Sequence, residues 1–404
     1  MQNQPAGMRP HILLLGRRNV GKSSLLNALT EQPMALVSDV AGTTTDPVRK
    51  AFELLPFGPV VFIDTGGIDD TGPVGELRVQ RTKEELRTAD FVLLVAEAGH
   101  WSEHEQQLVK ELSQRGADYL VVVNKSDADP AWRAPVDAWY VSAQTGEKVR
   151  DFRAALATRL RQVVQQNFSV LGDLVQAGDL VALVVPIDLE APRGRLILPQ
   201  VITIRDLLDN DCAALVVKER ELLATLKSVG RRPSLVICDS QVVLKVAADV
   251  PPDVKLTTFS ILFARQKGDL ATFVRGAVAI DSLRDGDRVL VAEACSHHPV
   301  GDDIGRVKIP RWIRQYTGRD LVFEHTQGRR YPDNLNDYRL VVHCGGCMLT
   351  PRVMRARMDE AGATEVPITN YGVAISFVQG VLPRVVEPFG GLDSMLRRDQ
   401  GVRG

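Results

Sequence analysis

The sequence predicts an α/β protein of two to three domains, and three observations carry that expectation. Its 404 residues amount to well over one domain of roughly 150 residues, so separate hydrophobic cores are expected. Short apolar runs alternate with amphipathic stretches, the pattern of βαβ units around mostly parallel sheets. The composition, 45% hydrophobic and 25% charged, is that of ordinary globular chains and argues against disorder.

Charge narrows the functional classes. Lys plus Arg number 49 against 50 Asp plus Glu, a net charge of −1, so no dominant basic surface is expected. With only 5% aromatic residues and no clamp or stacking motif, neither nucleic acid nor an anionic membrane is an expected partner. No apolar run reaches the roughly 18 residues of a spanning helix. The start MQNQPAGMRP lacks a signal-peptide core, so a cytoplasmic address is expected. Five cysteines, an odd and small number, do not read as a disulfide framework.

Taken in order, the strand-like runs of the first block are HILLL (11–15), VVFID (60–64), DFVLLVAEA (90–98), YLVVVN (119–124) and AWYVSA (138–143). Periodic segments at 22–29 and 103–116 read as helices between them, and 151–167 reads as the closing helix. A second alternation follows, with strands at 179–187, 213–218 and 234–239 and a breaker-rich loop at 190–199. It carries no catalytic constellation, and its Cys212 and Cys238 sit in apolar surroundings that suit small buried hydrophobes. The third block opens near 251–265. Strands are expected there at 288–294, 320–325 and 338–343, helices at 268–278 and 350–361, and a charged, fraying tail at 397–404.

Gly16-Arg17-Arg18-Asn19-Val20-Gly21-Lys22-Ser23 fits G-x-x-x-x-G-K-[ST], following an apolar strand and opening a helix. Glycines let backbone N–H groups approach phosphates, and the helix N-terminus adds positive potential. The phosphate contacts expected are Gly16, Asn19, Val20, Gly21, Lys22, Ser23 and Ser24. Lys22 would bridge the β- and γ-phosphates, and the Ser23 hydroxyl would ligate Mg2+. Further on, Asn124-Lys125-Ser126-Asp127 follows a buried strand. The Asp127 carboxylate can accept from N1–H and the exocyclic amine of guanine, which adenine cannot offer. Asn124 and Lys125 would brace that pocket, and Ser142-Ala143 would offer a backbone N–H to O6. Asp64-Thr65-Gly66-Gly67 ends another strand, placing Asp64 in the Mg2+ shell and the Gly67 N–H on the γ-phosphate; Thr44 is the best further Mg2+ ligand.

On these motifs the first 160 residues resemble the translation-factor-related GTPases, nearest the Era and tRNA-modification group. The resemblance implies GTP hydrolysis to GDP by in-line attack of water. Where many relatives carry a water-orienting glutamine, this chain has Ile68. Asn19 matches the asparagine that holds an activating potassium ion in the tRNA-modification group, and Glu76 matches its water-bridging glutamate. Lys22, Thr44 and Glu76 are thereby the implied catalytic residues of a slow, potassium-stimulated reaction.

The third block carries a second constellation. Cys295-Ser296-His297 and His343-Cys344-Gly345-Gly346-Cys347 form C-x-H…H-C-x-x-C, with Cys295 and Cys344 each directly after a strand. Three thiolates suit either Zn2+ in a Cys3His site or three irons of a [4Fe-4S] cluster. In the second case one iron keeps a replaceable ligand, for which His297, His343, Asp302 and Asp303 are candidates. The two histidines serve equally as hydrogen-bonding groups around the ligands.

A small GTPase, a middle α/β block and C-x-H…H-C-x-x-C in one chain resemble the [FeFe]-hydrogenase maturation GTPases, the HydF family, over essentially the whole length. The expected architecture is a P-loop GTPase domain at 1–167, a small α/β dimerisation domain at 168–254, and a doubly wound α/β cluster-binding domain at 255–404. The resemblance further implies a [4Fe-4S] cluster on Cys295, Cys344 and Cys347. It also implies a homodimer through the middle domain, and a scaffold that receives a transient diiron precursor from two radical-SAM maturases and delivers it to apo-[FeFe]-hydrogenase. An RNA-modification or ribosome-assembly GTPase with a structural zinc site is the alternative, and a nucleotide-stabilised adaptor without a cluster a third reading.

Overall fold

The computed structural model describes residues 9–31, 48–65, 73–164, 169–187, 196–294, 303–328 and 330–392. The chain divides into two compact units, Met1–Phe168 and Ser169–Gly404. Among the described residues no helix is long and apolar enough to cross a membrane.

In the first unit, β1 (His11–Leu15), α1 (Lys22–Thr30), β2 (Val48–Leu54), β3 (Gly58–Asp64) and α2 (Pro73–Thr88) come first. They are followed by β4 (Phe91–Glu97), α3 (Glu103–Gln114), β5 (Tyr119–Asn124), β6 (Trp139–Tyr140) and α4 (Val149–Val164). The sheet order is β2-β3-β1-β4-β5-β6, parallel throughout except for β2 against β3. Every residue of β1 is buried, which is why HILLL shows no polar alternation. Alternate side chains nevertheless serve opposite faces. Ile12 and Leu14 share a cluster with Leu25 of α1 and Phe152 of α4, whereas Leu13 and Leu15 join Leu86 of α2 and Leu112 of α3. Helix α3 starts on a capping box, in which Ser102 accepts from the His104 N–H and Glu105 reaches back to Ser102.

The second unit contains β7 (Leu180–Val184), α5 (Leu198–Asp209), β8 (Ala213–Val217), α6 (Leu222–Val229), β9 (Leu235–Cys238), α7 (Val243–Asp249), β10 (Lys255–Thr258) and α8 (Phe259–Lys267). Then come α9 (Leu270–Val278), β11 (Arg288–Glu293), α10 (Ile309–Thr317), β12 (Val322–Gln327), β13 (Leu340–His343), α11 (Pro351–Ala363), β14 (Ile368–Asn370), α12 (Tyr371–Val378) and α13 (Leu382–Val386). These strands form two parallel four-stranded sheets, β10-β9-β7-β8 and β12-β11-β13-β14. One core joins them: Val236 and Leu256 of the first sheet and Leu290 and Val341 of the second share a cluster with Ile261 of α8 and Phe273 of α9. Helix α9 lies so close to β14 that a Cβ on Gly276 would stand 2.0 Å from the Ile368 carbonyl oxygen. Cys212 and Cys238 are buried, and burial pushes both thiols above their usual range.

Several elements depart from the apolar pattern. Strand β2 escapes it because VRKAFEL is charged and largely exposed at the sheet edge. AWYVSA contracts to the two residues of β6. The expected loop at 190–199 instead ends in helix: Leu198 and Pro199 open α5, and proline is tolerated in the first turn, where its missing N–H has no helical partner. Residues 188–195 and the tail at 397–404 lie outside the described residues.

Candidate functional site

In the first unit the motif residues collect at the carboxyl ends of the parallel strands, where open α/β sheets hold ligands. Gly16 to Gly21 follow β1, Asp64 ends β3, Asn124 ends β5, and Ser142 and Ala143 follow β6. Two glycines are sterically required. A Cβ on Gly16 would stand 2.2 Å from the Val95 carbonyl oxygen, and one on Gly21 2.3 Å from Asn124 Nδ2. Gly21, at φ 90°, also caps α1 without a side chain, so the first amides of the helix face the loop. Asn19 is exposed at φ 61°, and Val20 is buried.

Lys22 is almost wholly buried, and its Nζ donates to the carbonyls of Gly16 at 2.9 Å and Arg17 at 2.8 Å. Ser23 Oγ donates to Asp64 Oδ2 at 2.5 Å, which brings the two expected Mg2+ ligands into contact. Burial raises the Asp64 pKa, opposed by the Ser23 hydroxyl and the Lys22 charge. A cation shared by Ser23 and Asp64 would favour the ionised carboxylate. Ser24 lies one residue further on α1. The loop has an anchor that its motif does not contain: Arg17 Nε donates to Oε1 of the buried Glu105 on α3 at 2.5 Å.

Asn124 is the hub of the base-side residues. Its Nδ2 donates to the Val20 carbonyl at 3.0 Å, and its Oδ1 accepts from the Ala143 N–H at 2.9 Å. Lys125, at φ 58°, turns its Nζ to Glu97 at 2.8 Å, while Asp127 stays exposed. Both amides expected for guanine O6 have partners within the protein. The Ser142 N–H donates to the Glu147 carbonyl at 3.1 Å and the Ala143 N–H to Asn124, so a base carbonyl would have to compete for them. Thr44, Gly67 and Ile68 lie outside the described residues; Glu76 falls on α2, its side chain likewise outside them.

In the second unit β11 and β13 are neighbours, pairing Ala292 with His343, so the chain leaving β11 runs beside Cys344. The Cys344 N–H donates to the Ala292 carbonyl at 2.8 Å, and the Ala294 N–H donates to Cys344 Sγ at 3.2 Å. Cys295 is the next residue. Cys295, His297 and Asp302 lie outside the described residues, and among those described no three metal-ligating side chains converge. Cys344 and Cys347 are half-buried in the loop before α11. Gly346 is left-handed at φ 58°, and a Cβ there would press on Met354 Cε at 2.5 Å. A Cβ on Gly345 would meet no described protein atom within 4 Å.

His343 is fully buried, with Nδ1 2.6 Å from the Cys344 carbonyl and Nε2 without a partner among the described residues. Burial, then the Arg357 charge, pushes its pKa down to about 3, so the imidazole is neutral. With Nδ1 facing a carbonyl, the proton belongs there and Nε2 keeps its lone pair. Asp303 accepts from the Arg306 N–H at 2.8 Å as cap of the π turn Ile304–Lys308. Two half-buried thiols in one loop, with a buried neutral imidazole directly before the first, are residue types that fit a soft metal centre.

Sequence reasoning missed three neighbours of this loop. Lys267 at the end of α8 donates to the carbonyls of Gly346 at 2.8 Å and Cys347 at 3.0 Å. Burial lowers its pKa to about 8, against the pull of Cys347 and Cys344. Glu293 is buried at the end of β11 and accepts from Gln327 Nε2 at 3.0 Å, with the Tyr371 hydroxyl at 3.5 Å. A lone carboxylate inside the apolar run RVLVAEA was the available signal for Glu293; nothing local marked Lys267 or Tyr371.

Comparison with known proteins agrees with this division. Residues 11–125 match the family model described as 50S ribosome-binding GTPase. The tRNA modification GTPase MnmE of Thiobacillus denitrificans is 40% identical over 148 residues, 36% of this chain and 32% of the relative. That of Aquifex aeolicus is 32% identical over 163 residues, 40% of this chain and 34% of the relative. The chain thus spans about a third of the length of these curated relatives, and the likeness is confined to its GTPase domain. A solved structure of Aquifex aeolicus Era bound to GDP.AlF4- is 17% identical, covering 54% of this chain and 97% of that one, at a TM-score of 0.32, too loose a fit to argue from. Residues 170–268 match the hydrogen maturase F dimerization domain and residues 271–388 the hydrogen maturase F tetramerization domain. With both of those domains behind a P-loop GTPase domain, the chain belongs to the hydrogen maturase F family of hydrogenase maturation GTPases.

Proposed function

We propose that the chain binds and hydrolyses GTP in its first unit. In its second it holds a [4Fe-4S] cluster on Cys295, Cys344 and Cys347, as scaffold and carrier of a diiron precursor for apo-[FeFe]-hydrogenase. Two radical-SAM maturases would supply that precursor. The observation that carries the cluster half is the Ala294 N–H on Cys344 Sγ at 3.2 Å, one residue before Cys295. When bound through three thiolates, such a cluster supplies one iron with a replaceable ligand, at which a cyanide-bearing diiron cargo can dock. Around it, the neutral His343 offers Nε2 as ligand or hydrogen-bond acceptor, and His297, Asp302 and Asp303, whose Oδ1 caps the π turn, are candidates for the same position.

For the nucleotide, Ser23 and Asp64 hold Mg2+ together with Thr44, Lys22 neutralises developing phosphate charge, and Asp127 selects guanine. Asn19 would hold K+ and Glu76 orient water. Gly16, Val20, Gly21, Ser24, Gly67, Asn124, Lys125, Ser142 and Ala143 complete the cradle. Exposed apolar residues support association through 170–268: Val201 and Leu208 on α5 and Val216 on edge strand β8 are 48%, 59% and 44% exposed. The tetramerization description of 271–388 supports an assembly larger than that homodimer.

Anaerobic iron–sulfide reconstitution tests the reading. A brown protein with about four irons per chain, an EPR signal that changes on adding imidazole, and loss of both in Cys344→Ser while GTP hydrolysis continues are the expected results. Stoichiometric zinc with negligible iron would overturn the carrier reading and leave a guanine-nucleotide switch.

A further inference from the structure

Lys267 is 3% exposed and sits on the last turn of α8, within the segment that matches the dimerization domain. Its ammonium reaches into the neighbouring sheet's loop and donates to two consecutive carbonyls, those of Gly346 and Cys347. The Phe263 ring lies 5.7 Å from Nζ, and among the described residues no carboxylate pairs with it. Burying an ammonium without a carboxylate costs several kcal/mol, so a purely mechanical tie between two carbonyls would be met more economically by a neutral donor. The sulfurs of Cys347 and Cys344, as thiolates, would attract this ammonium.

We propose that Lys267 is a positioning residue of the C-x-x-C loop: its ammonium fixes the Gly346 and Cys347 carbonyls, aims the two sulfurs, and supplies the positive charge that a thiolate-bound cluster requires. The proposal rests on the reading that this loop holds a cluster. It makes α8 part of the metal site, so the ligand loop of one sheet depends on a helix of the other. A group in this position acts on the ligands through their backbone, and loss of such support commonly weakens metal binding about 10- to 100-fold.

The test compares wild type, Lys267→Met and Lys267→Gln in the full-length chain, each reconstituted anaerobically with iron and sulfide. Iron extraction by bipyridine and the midpoint potential of the cluster are measured, with circular dichroism as the check on folding. Lys267→Met should lose iron at least about 10-fold faster than wild type. Lys267→Gln keeps a donor but not the charge, so it should retain iron better than Met while its potential moves negative, because reduction adds charge that no cation offsets. Unchanged extraction and potential in Lys267→Met overturn the proposal. If Met prevents folding, Gln decides, and a wild-type potential in Gln overturns it. A wild type that binds no iron instead defeats the cluster reading itself, a result separate from either variant.

Discussion

Replacing Asn124 by Ala should loosen the nucleotide cradle from its hub. The side chain is 2% exposed and joins three segments: β5, which carries it, the phosphate loop through the Val20 carbonyl at 3.0 Å, and the turn after β6 through the Ala143 N–H at 2.9 Å. Truncation leaves that carbonyl and that amide without their partner in a place water reaches poorly. Each such group costs about 1–3 kcal/mol. The first unit should therefore lose about 2–6 kcal/mol of stability. GDP should bind about 10-fold more weakly, equivalent to about 1.4 kcal/mol, because the loop is no longer held in its binding form. Asn124→Asp separates the two contacts, since it can still accept from Ala143 but sets an oxygen against the Val20 carbonyl. Urea dependence of hydrogen exchange in β5 measures the stability, and calorimetric GDP titration measures the affinity. A change below about 0.5 kcal/mol in both would refute the hub, since that is the range of surface substitutions.

Gly276→Ala drives a methyl against the Ile368 carbonyl oxygen, so thermal unfolding of the second unit should show a loss of about 1–3 kcal/mol; a wild-type melting temperature would mean that α9 can slide off β14 freely. Glu105 offers a pH test. Burial raises its pKa, but the Ser102 hydroxyl, the Arg17 guanidinium and backbone amides outweigh it and hold the carboxyl below its ordinary value of 4.5. Its contribution is thus fully present above that value and lost as pH falls through the lower folded pKa. Glu105→Gln should flatten the acid limb of the first unit's stability curve, and an unchanged limb would assign the acid loss to other groups.

Much of this architecture was readable from particular residues. FVLLVAE and YLVVVN become β4 and β5 because parallel strands covered on both faces are apolar throughout, and the helix-forming stretch KSSLLNAL becomes α1 directly after the glycine-rich turn. Strands β10 and β14 were not readable, because KLTT and ITN each hold a single apolar residue and form no apolar run. Neither was β2, whose charges belong to an edge.

What the linear order determined by itself is chemical inventory and local geometry: the glycines, lysine and serine of a phosphate loop, the aspartate proposed to select guanine, and the Cys and His spacing, each set by neighbours a few residues apart. Only the tertiary structure decided which distant groups act on them. Arg17 meets Glu105 across 88 positions, Asn124 meets Val20 across 104, and Lys267 meets Gly346 across 79. Such contacts follow from strand order and from the desolvation of a buried core, where an amide or ammonium must find its partner wherever the chain happens to bring one.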